Sequence, residues 1–189
     1  MPFAIVGYFD PDSDKAVHAL WKTFADTGVC DYLHRSDNHP HIKFAMFDSV
    51  DIEETRARLA DITRQTKKLE LHFKNYGLYP NERPIVFLDI SATIEILNLQ
   101  LAIQEVFASF GTRSAGPYFD QGIWKPDCFL TIGLEPNKLD KATRLLLESP
   151  LPFNGSLDRI GLIEFHPAKR LFDYPLQENG AGNDHDHED

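Results

Sequence analysis

The sequence predicts an α+β fold that is internally duplicated, with two lobes of antiparallel or mixed sheet around a central cleft and helices outside. Short apolar runs typical of strands alternate with amphipathic segments typical of helices along most of the 189 residues. One strand-plus-helix pattern also occurs twice in the same register. With 42% hydrophobic residues, the chain can bury one substantial core. We expect a single domain over residues 1–176 and a disordered tail over residues 177–189.

The first predicted strand covers residues 3–8, an uninterrupted apolar run. Residues 10–14 form a turn and helix-cap cluster of Asp, Pro and Ser, and the helix that follows ends near Gly28. Its apolar side chains recur at i, i+3, i+4 and i+7, which places them on one face. They are Val17, Leu20, Trp21 and Phe24.

The middle of the chain continues the alternation of strands and helices. Its predicted helix is expected to turn Ile52, Leu59 and Ile62 inward. Residues 75–84 are rich in Asn, Gly and Pro and predict a turn region between two strands. The predicted elements are a strand over 42–47, a helix over 51–65 and strands over 69–73 and 85–90.

The second half of the chain opens with a long, strongly apolar helix over residues 93–110, which must be largely buried. A second helix is predicted over residues 137–148. The remaining predicted strands cover residues 129–134, 160–165 and 169–174.

Two short motifs stand at the beginnings of two strands. Residues 39–45 read His-Pro-His-Ile-Lys-Phe-Ala, and residues 124–131 read Trp-Lys-Pro-Asp-Cys-Phe-Leu-Thr. In each, a proline precedes a polar residue that opens an apolar run, which is typical of a strand entered from an extended segment. Side chains two apart on a strand share a face, so two such strands side by side would bring four side chains together over one cleft. These four are His41, Lys43, Asp127 and Phe129.

The segments that follow the two motifs also repeat. At an offset of 86 residues (127 − 41), each has a helix-capping residue, an acid three residues later, and an Arg-Leu pair four and five residues after that acid. An Asp or Asn at the cap and an acid in the first turn are typical of a helix start. The matched pairs are Asp51 with Asn137, Glu54 with Asp140, Arg58 with Arg144 and Leu59 with Leu145.

The two motifs resemble those of the two-histidine (2H) phosphoesterase superfamily, which includes the bacterial 2′-5′ RNA ligases and cyclic phosphodiesterases. Its signature is a pair of His-x-Thr/Ser motifs, often seen as Pro-His-x-Thr-Leu and Trp-x-Pro-His-Cys-Thr-Leu. Here the surrounding frame and His41 are kept, but Lys43, Asp127 and Phe129 replace the other three signature residues. The resemblance implies the two-lobed α+β architecture over nearly residues 1–176.

The resemblance also implies a chemistry. In that family the two histidines face a phosphate, one as general base and one as general acid, and the hydroxyls two residues on hydrogen-bond the phosphoryl oxygens, with no metal. His41 would then be a general acid or base; the alternative is a polar residue at a strand start that bonds to backbone. With the ordinary Asp pKa of about 3.9, Asp127 would be ionised at neutral pH and a poor proton donor. Burial that raised this pKa would make it a better donor.

The other candidate positions concern ligand binding. Lys43 would bind a phosphate as a point charge, or be an outward lysine on a half-exposed strand. Phe129 would stack on a base, or belong to the core. His39 would line the cleft mouth, and Tyr118 and Trp124 would close over a nucleotide or anchor a loop.

The charge of the chain limits its partners. The formal net charge is −10, and five acids lie in residues 177–189, so the rest of the chain carries −5 (−10 + 5). This acidity argues against tight binding to long nucleic acids. A small nucleotide-like or phosphorylated ligand, or RNA ends, is what the resemblance implies as a partner, and a protein partner stays open. The His-Asp alternation in the tail could hold a metal loosely, but a solvated acidic tail is the simpler interpretation.

The sequence does not support a membrane-spanning protein, a disulfide-stabilised protein or a metal- or cofactor-dependent enzyme. No apolar run approaches the roughly 20 residues needed to span a bilayer. Cys30 and Cys128 need no disulfide framework, which favours a reducing cytoplasm. There is no phosphate-cradling Gly-rich loop, nucleophile elbow or Cys/His zinc spacing, so we expect no metal or cofactor. The histidines that lack ligand spacing to one another are His18, His34, His72 and His166.

Three functions remain open. The first is a degenerate phosphoesterase that keeps its cleft to bind a nucleotide or another phosphorylated ligand. The second is a working phosphodiesterase or RNA 2′-5′ ligase-type enzyme in which His41 and Asp127 form an altered acid-base pair. The third is a protein-interaction scaffold. The first is favoured, because losing one proton-transfer group costs about 10²–10⁴-fold in rate.

Overall fold

The computed structural model describes residues 2–108, 116–149, 151–165 and 168–179. Within them the strands are β1 (Phe3–Phe9), β2 (His41–Phe47), β3 (Leu69–Tyr79), β4 (Ile85–Ile90), β5 (Asp127–Phe129), β6 (Phe153–Glu164) and β7 (Lys169–Pro175). The α-helices are α1 (Pro11–Asp26), α2 (Tyr32–Arg35), α3 (Ile52–Gln65), α4 (Ile94–Phe107) and α5 (Leu139–Leu147). Short 3₁₀ helices cover Gly116–Phe119 and Pro136–Lys138.

The strands form one antiparallel sheet in the order β2-β1-β6-β3-β4-β5, with β7 also paired to β6. The long strand β6 joins the two halves of the sheet, because its beginning pairs with β3 and its remainder pairs with β1 and β7. Helices α1, α3 and α4 pack against the strands. The predicted α+β class with an antiparallel sheet is confirmed. No helix in the described parts of the chain has the length and apolar character needed to cross a membrane.

Helix α1 begins where the cap cluster predicted it. The Asp10 carboxylate accepts hydrogen bonds from the backbone N–H groups of Asp12 and Ser13, both at 3.0 Å, and Pro11 supplies the fixed φ of a first helical turn. It also accepts a bond from the Ser156 N–H at 2.6 Å, which ties the helix start to β6. The predicted inward face of α1 is buried, apart from the partly buried Leu20.

Helix α3 also begins at its predicted cap, because the Asp51 carboxylate accepts a bond from the Glu54 N–H at 2.9 Å. Leu59 is buried as expected, and Ile62 is partly buried against the core. The prediction for Ile52 is wrong: its side chain is 39% exposed, because the buried face of the helix begins only with Thr55, one turn later.

The helix after the second motif repeats this design only in part. The ion pair of Arg58 with Glu54 has its counterpart in Arg144 with Asp140. The predicted cap at Asn137 is wrong: Asn137 lies in a 3₁₀ turn, and Lys138, which precedes the helix, makes no side-chain capping bond. The chain enters α5 through the 3₁₀ turn instead of through a polar cap.

Strand β3 runs six residues beyond its predicted end, through the first half of the expected turn region. Backbone pairing with β4, with a register shift between Phe73 and Asn75, outweighs the poor strand propensity of this segment. Gly77 fits there because a Cβ atom would lie 2.1 Å from the Phe87 ring. The pairing carries Tyr79 to a position opposite Ile85, at the end of the sheet where the motifs lie.

Strand β5 is shifted toward the N-terminus of its predicted span of 129–134. It pairs with β4 over Asp127–Phe129 only, and then the N–H groups of Leu130 and Thr131 both bond to the Val86 carbonyl, which ends the ladder. Strand β6 begins earlier than predicted, at Phe153. Helix α4 ends at Phe107, and the last two residues of its predicted span, 109–110, lie outside the described residues.

The first residues of the expected tail are structured. Gln177 forms a bridge with Lys67, and its carbonyl accepts a bond from the Lys68 N–H at 2.9 Å. The Lys68 ammonium also pairs with Glu178 at 2.9 Å. Residues 180–189 lie outside the described residues, so the disorder predicted for them stays a prediction.

The contacts of Asp10 predict a stability effect. Replacement of Asp10 by Ala removes an acceptor shared by α1 and β6 and should lower the free energy of unfolding by about 1–2 kcal/mol. Partial burial tends to raise the pKa of Asp10, but the N–H and O–H donors outweigh it and lower that pKa below its ordinary 3.8. The contribution of Asp10 to the free energy of unfolding should therefore be complete above about pH 3.8 and decrease as the pH falls through the lowered pKa. Urea unfolding at several pH values measures this; the exposed Asp12→Ala is the control, and an equal loss in both variants would contradict it.

Candidate active site

The two motif strands lie beside each other, as the sequence predicted: His41 opens β2 and Asp127 opens β5. Two tryptophans hold them in place. The Trp124 indole N–H donates to the Lys43 carbonyl at 2.9 Å, and the Trp21 indole N–H donates to the Phe129 carbonyl at 3.0 Å. The first bond connects β2 to the segment that leads into β5, and the second connects β5 to α1.

A cleft of about 610 Å³ opens beside the two strands. This volume lies within the range of small-molecule sites, roughly 300–1,000 Å³. Five of the seven predicted site residues line the cleft. They are Lys43, Tyr118, Trp124, Asp127 and Phe129.

His41 lies on a second, much smaller cavity of about 40 Å³, which it shares with Trp21 and Cys128. Lys43 and Phe129 line both cavities, so this pair stands between His41 and the cleft. The Lys43 Nζ lies 3.5 Å from the centroid of the Phe129 ring, a cation–π contact that holds the two side chains together. We call this pair the partition between the two cavities. His41 and Asp127 consequently do not line the same cavity.

The imidazole of His41 is oriented by backbone. Its Nδ1 lies 2.6 Å from the His39 carbonyl oxygen, so Nδ1 carries the proton and donates, which leaves Nε2 as an acceptor. Burial, helped by the nearby charge of Lys43, lowers the pKa of His41 to about 4. The ring is therefore neutral at physiological pH, where it suits a hydrogen-bond acceptor or base and not a proton donor.

Lys43 is a half-buried cation. Burial lowers the pKa of its ammonium to about 8, although the negative charge of Asp127 works in the opposite direction. The group is still mostly protonated at neutral pH. Its positive charge faces the cleft from a position against the ring of Phe129.

Asp127 is held by a tyrosine. The Tyr79 hydroxyl donates a hydrogen bond to the Asp127 Oδ2, and burial raises the pKa of this carboxyl, while the Tyr79 bond and the charges of Lys43 and Lys125 oppose the rise. Burial and the neighbouring carboxylate also raise the pKa of Tyr79. The Tyr79 ring in turn stacks on Phe87 with centroids 4.4 Å apart. A partly buried network thus fixes the carboxyl where the family signature has a histidine.

No threonine replaces the missing hydroxyl two residues after Asp127. The nearest candidate in sequence, Thr131, is fully buried, and its hydroxyl oxygen accepts a bond from the Val86 N–H at 2.9 Å. It is therefore committed to the sheet and does not line the cleft. The residue at the signature position, Phe129, offers a ring face only.

The remaining predicted residues have distinct surroundings. Trp124 is 8% exposed and stacks on Phe44, with centroids 5.6 Å apart, so it supports β2 as well as lining the cleft. Tyr118 is 68% exposed and lies on the cleft wall. His39 is exposed and lines neither cavity; its ring faces Tyr8, with centroids 6.3 Å apart.

Three polar residues of the cleft were not among the sequence candidates: Tyr79, Asn81 and Lys125. Tyr79 was hidden because residues 75–84 predict a turn, although the Gly77-Leu78-Tyr79 run before Pro80 is compatible with a strand end. Lys125 stands inside the second motif, directly before its proline. Its Nζ pairs with Asp89 at 3.4 Å and lies 4.0 Å from the centroid of the Phe87 ring.

Comparison with solved structures shows the same fold in other proteins. The protein TT0787 of Thermus thermophilus is 14% identical, with a TM-score of 0.62, and the alignment covers 95% of this chain and 100% of that one. E. coli LigT complexed with 3′-AMP is 13% identical, with a TM-score of 0.59 and coverage of 93% and 99%. E. coli LigT complexed with ATP is 11% identical, with a TM-score of 0.54 and coverage of 93% and 96%.

Sequence comparison identifies the family. None of the curated proteins matches this chain. The family model of the 2′-5′ RNA ligase superfamily matches residues 9–168, which include both motifs and all the residues of the two cavities. The chain belongs to the 2′-5′ RNA ligase superfamily of 2H phosphoesterases.

Proposed function

We propose that this chain is a catalytically impaired member of its superfamily that binds a nucleotide or another small phosphorylated ligand in the cleft beside β2 and β5. The observation that carries the proposal is the arrangement of Lys43, Phe129 and Asp127. The cation and the ring face serve binding, whereas the carboxyl held by Tyr79 stands where a proton-transferring histidine would be needed.

The surroundings of both His41 and Asp127, the two positions of the proton-transfer pair, support a loss of activity. His41 is separated from the cleft by Lys43 and Phe129, and its lowered pKa leaves the ring neutral and without an acidic proton at neutral pH. Asp127 is bound to Tyr79, and Phe129 offers no hydroxyl to stabilise a phosphoryl group beside it. Each lost acid-base group costs about 10²–10⁴-fold in rate, so little turnover is expected.

Ligand binding is supported by the composition of the cleft wall. Lys43 and Lys125 supply positive charge, and Phe129, Tyr79 and Tyr118 supply aromatic faces of the kind on which bases stack. E. coli LigT, which has the same fold, has been crystallised with 3′-AMP, ATP, NADP+ and phosphate. Because Asp89 and Asp127 offset the two lysines, we expect a ligand of low charge, such as a nucleoside monophosphate or an RNA end.

A second candidate is an active phosphodiesterase with an altered pair. Burial raises the pKa of Asp127, and a protonated carboxyl could donate a proton to a leaving group. His41 would then act as the base through Nε2 after the Lys43 side chain moves aside. This requires the partition between the two cavities to open.

The cellular setting is part of the proposal. Cys30 and Cys128 are free thiols, and burial raises the pKa of Cys128 to about 12, so this thiol is inert and needs no disulfide partner. We infer a reducing, cytoplasmic location. If no phosphorylated compound binds, a protein-interaction scaffold replaces the ligand-binding function.

Turnover distinguishes the first two candidates. We expect very weak or no hydrolysis of 2′,3′-cyclic nucleotides and 2′-5′ oligonucleotides, because Asp127 and Phe129 replace the second His and Thr of the signature. The Asp127→His/Phe129→Thr double variant should gain measurable activity. Product formation is followed by chromatography, with His72→Ala as a control remote from the cleft. Robust turnover by the natural protein that disappears in His41→Ala would establish the second candidate instead.

Substitutions in the cleft should change affinity in opposite directions. Lys43→Ala removes a charge-assisted contact worth about 1.5–3 kcal/mol and should weaken 3′-AMP binding roughly tenfold or more. Asp127→Asn removes a repelling charge while it keeps an acceptor for Tyr79, so it should tighten binding. Titration calorimetry measures both. Lys22→Ala, which removes an exposed lysine of α1, should leave affinity unchanged, and if the Lys43 and Asp127 variants also leave it unchanged, the cleft is not a phosphate site.

The pH dependence of binding should follow Lys43. Because the pKa of its ammonium is about 8, the positive charge is present at about pH 7 and largely lost at about pH 9.5. Affinity for 3′-AMP should fall over that interval. Calorimetry at both pH values measures the fall in the natural protein and in Lys43→Ala, where it should be absent. An equal fall in the two proteins would assign the titration to another group.

A further inference from the structure

We propose that Asp14, His18 and His39 form a binding site for a divalent metal ion of the zinc class, on the surface where α1 meets the segment that leads into β2. None of the three side chains lines the cleft or the small cavity. The site is therefore separate from the proposed ligand-binding site, and neither proposal depends on the other.

The distances are close to those of a metal site. One donor atom of each of the three side chains lies within 4.8 Å of the other two. The His18 Nε2 and the Asp14 Oδ2 are already 3.5 Å apart. Tetrahedral zinc with bonds of about 2.0–2.1 Å places its ligand atoms roughly 3.3 Å apart, so the Asp14–His18 pair is already close to the spacing that the ion requires.

The chain builds this cluster from a rigid helix and a neighbouring loop. Asp14 and His18 are four residues apart on α1, which puts them on one helix face. The His18 ring packs edge-on against the indole of Trp21, with centroids 4.9 Å apart, and Trp21 is itself buried. The His39 and His18 rings lie edge to face, with centroids 6.0 Å apart. Two of the three ligands are thus positioned before any ion binds.

The donor set favours zinc over hard cations. Two imidazoles and one carboxylate are typical ligands of zinc and of neighbouring transition metals, whereas calcium and magnesium prefer oxygen donors throughout. Three protein ligands leave a fourth tetrahedral position for water. Within the described ranges, no other group of three His, Cys, Asp or Glu side chains brings its donor atoms this close.

No pattern in the sequence indicates this site, and the sequence led us to expect no metal. His39 follows His18 by 21 residues (39 − 18), a spacing that matches no metal motif, and only the turn through α2 brings the two rings together. The remaining pair, Asp14 and His18, has the same spacing as an ordinary helix ion pair.

A bound ion would connect α1 to the start of β2. The carbonyl of His39 already accepts the bond from the His41 Nδ1, so a metal on the His39 ring would fix the segment just before the first motif. Because the folded state alone brings the three ligands together, the ion should also stabilise the fold by mass action.

Zinc titration of the tag-free 189-residue chain tests the proposal after chelator treatment and dialysis. We expect one zinc ion per chain by calorimetry, with affinity at least tenfold lower in His18→Ala, His39→Ala and Asp14→Asn. His72→Ala, a histidine outside the cluster, should bind like the natural protein. His39→Ala is the decisive variant, because His39 is exposed and its loss should not impair folding.

Two further measurements distinguish zinc bound at Asp14, His18 and His39 from zinc bound by the histidines of the C-terminal segment. Zinc should raise the melting temperature of the natural protein and not that of His39→Ala. The double variant His185→Ala/His187→Ala, which removes the histidines of the C-terminal segment, should retain the high-affinity ion. Zinc binding that is unchanged in His39→Ala, or that is lost in the double variant, would overturn the proposal, as would the absence of zinc binding at micromolar protein.

Discussion

The structure around the two motifs depends on the indole N–H groups of Trp21 and Trp124. One donates to the Phe129 carbonyl of β5 and the other to the Lys43 carbonyl of β2, so both motif strands are held by side chains from elsewhere. Strand β5 is only three residues long and its backbone ladder is with β4 alone, so side-chain bonds such as these add to a short run of pairing. Each such bond contributes about 0.5–1.5 kcal/mol, but loss of one would leave a carbonyl without its partner at the centre of the site.

The fixed approach of β2 and β5 explains the chemistry of the site. It presses the Lys43 ammonium onto the Phe129 ring, and this pair separates His41 from the cleft. Burial on both sides then shifts each group toward its neutral form: the pKa values of His41 and Lys43 fall, and that of Asp127 rises. Burial therefore disfavours the charged form of all three groups, at the edge of a cleft that is also lined by aromatic side chains.

Sequence reasoning found the parts of the fold that are written in local patterns. The cap at Asp51, the inward face of α1 and the neighbouring motif strands follow from spacing alone. It missed the extension of β3 to Tyr79, because backbone pairing with β4 overrides a local turn signal. It also could not predict that His41 and Asp127 line different cavities. The Lys43–Phe129 partition depends on side-chain packing between segments that are far apart in sequence, such as the 81 residues between Lys43 and Trp124 (124 − 43). The cluster of Asp14, His18 and His39 was hidden for the same reason.

We propose that the cleft binds a nucleotide without hydrolysing it. A crystal structure of the protein grown with a 2′,3′-cyclic nucleotide tests this most directly, because one density map reports both the place of the ligand and its chemical state. We expect an intact cyclic phosphate near the Lys43 ammonium, with the base against an aromatic wall of the cleft. A ring-opened monophosphate beside His41 and Asp127, or a ligand bound elsewhere on the protein, would contradict it.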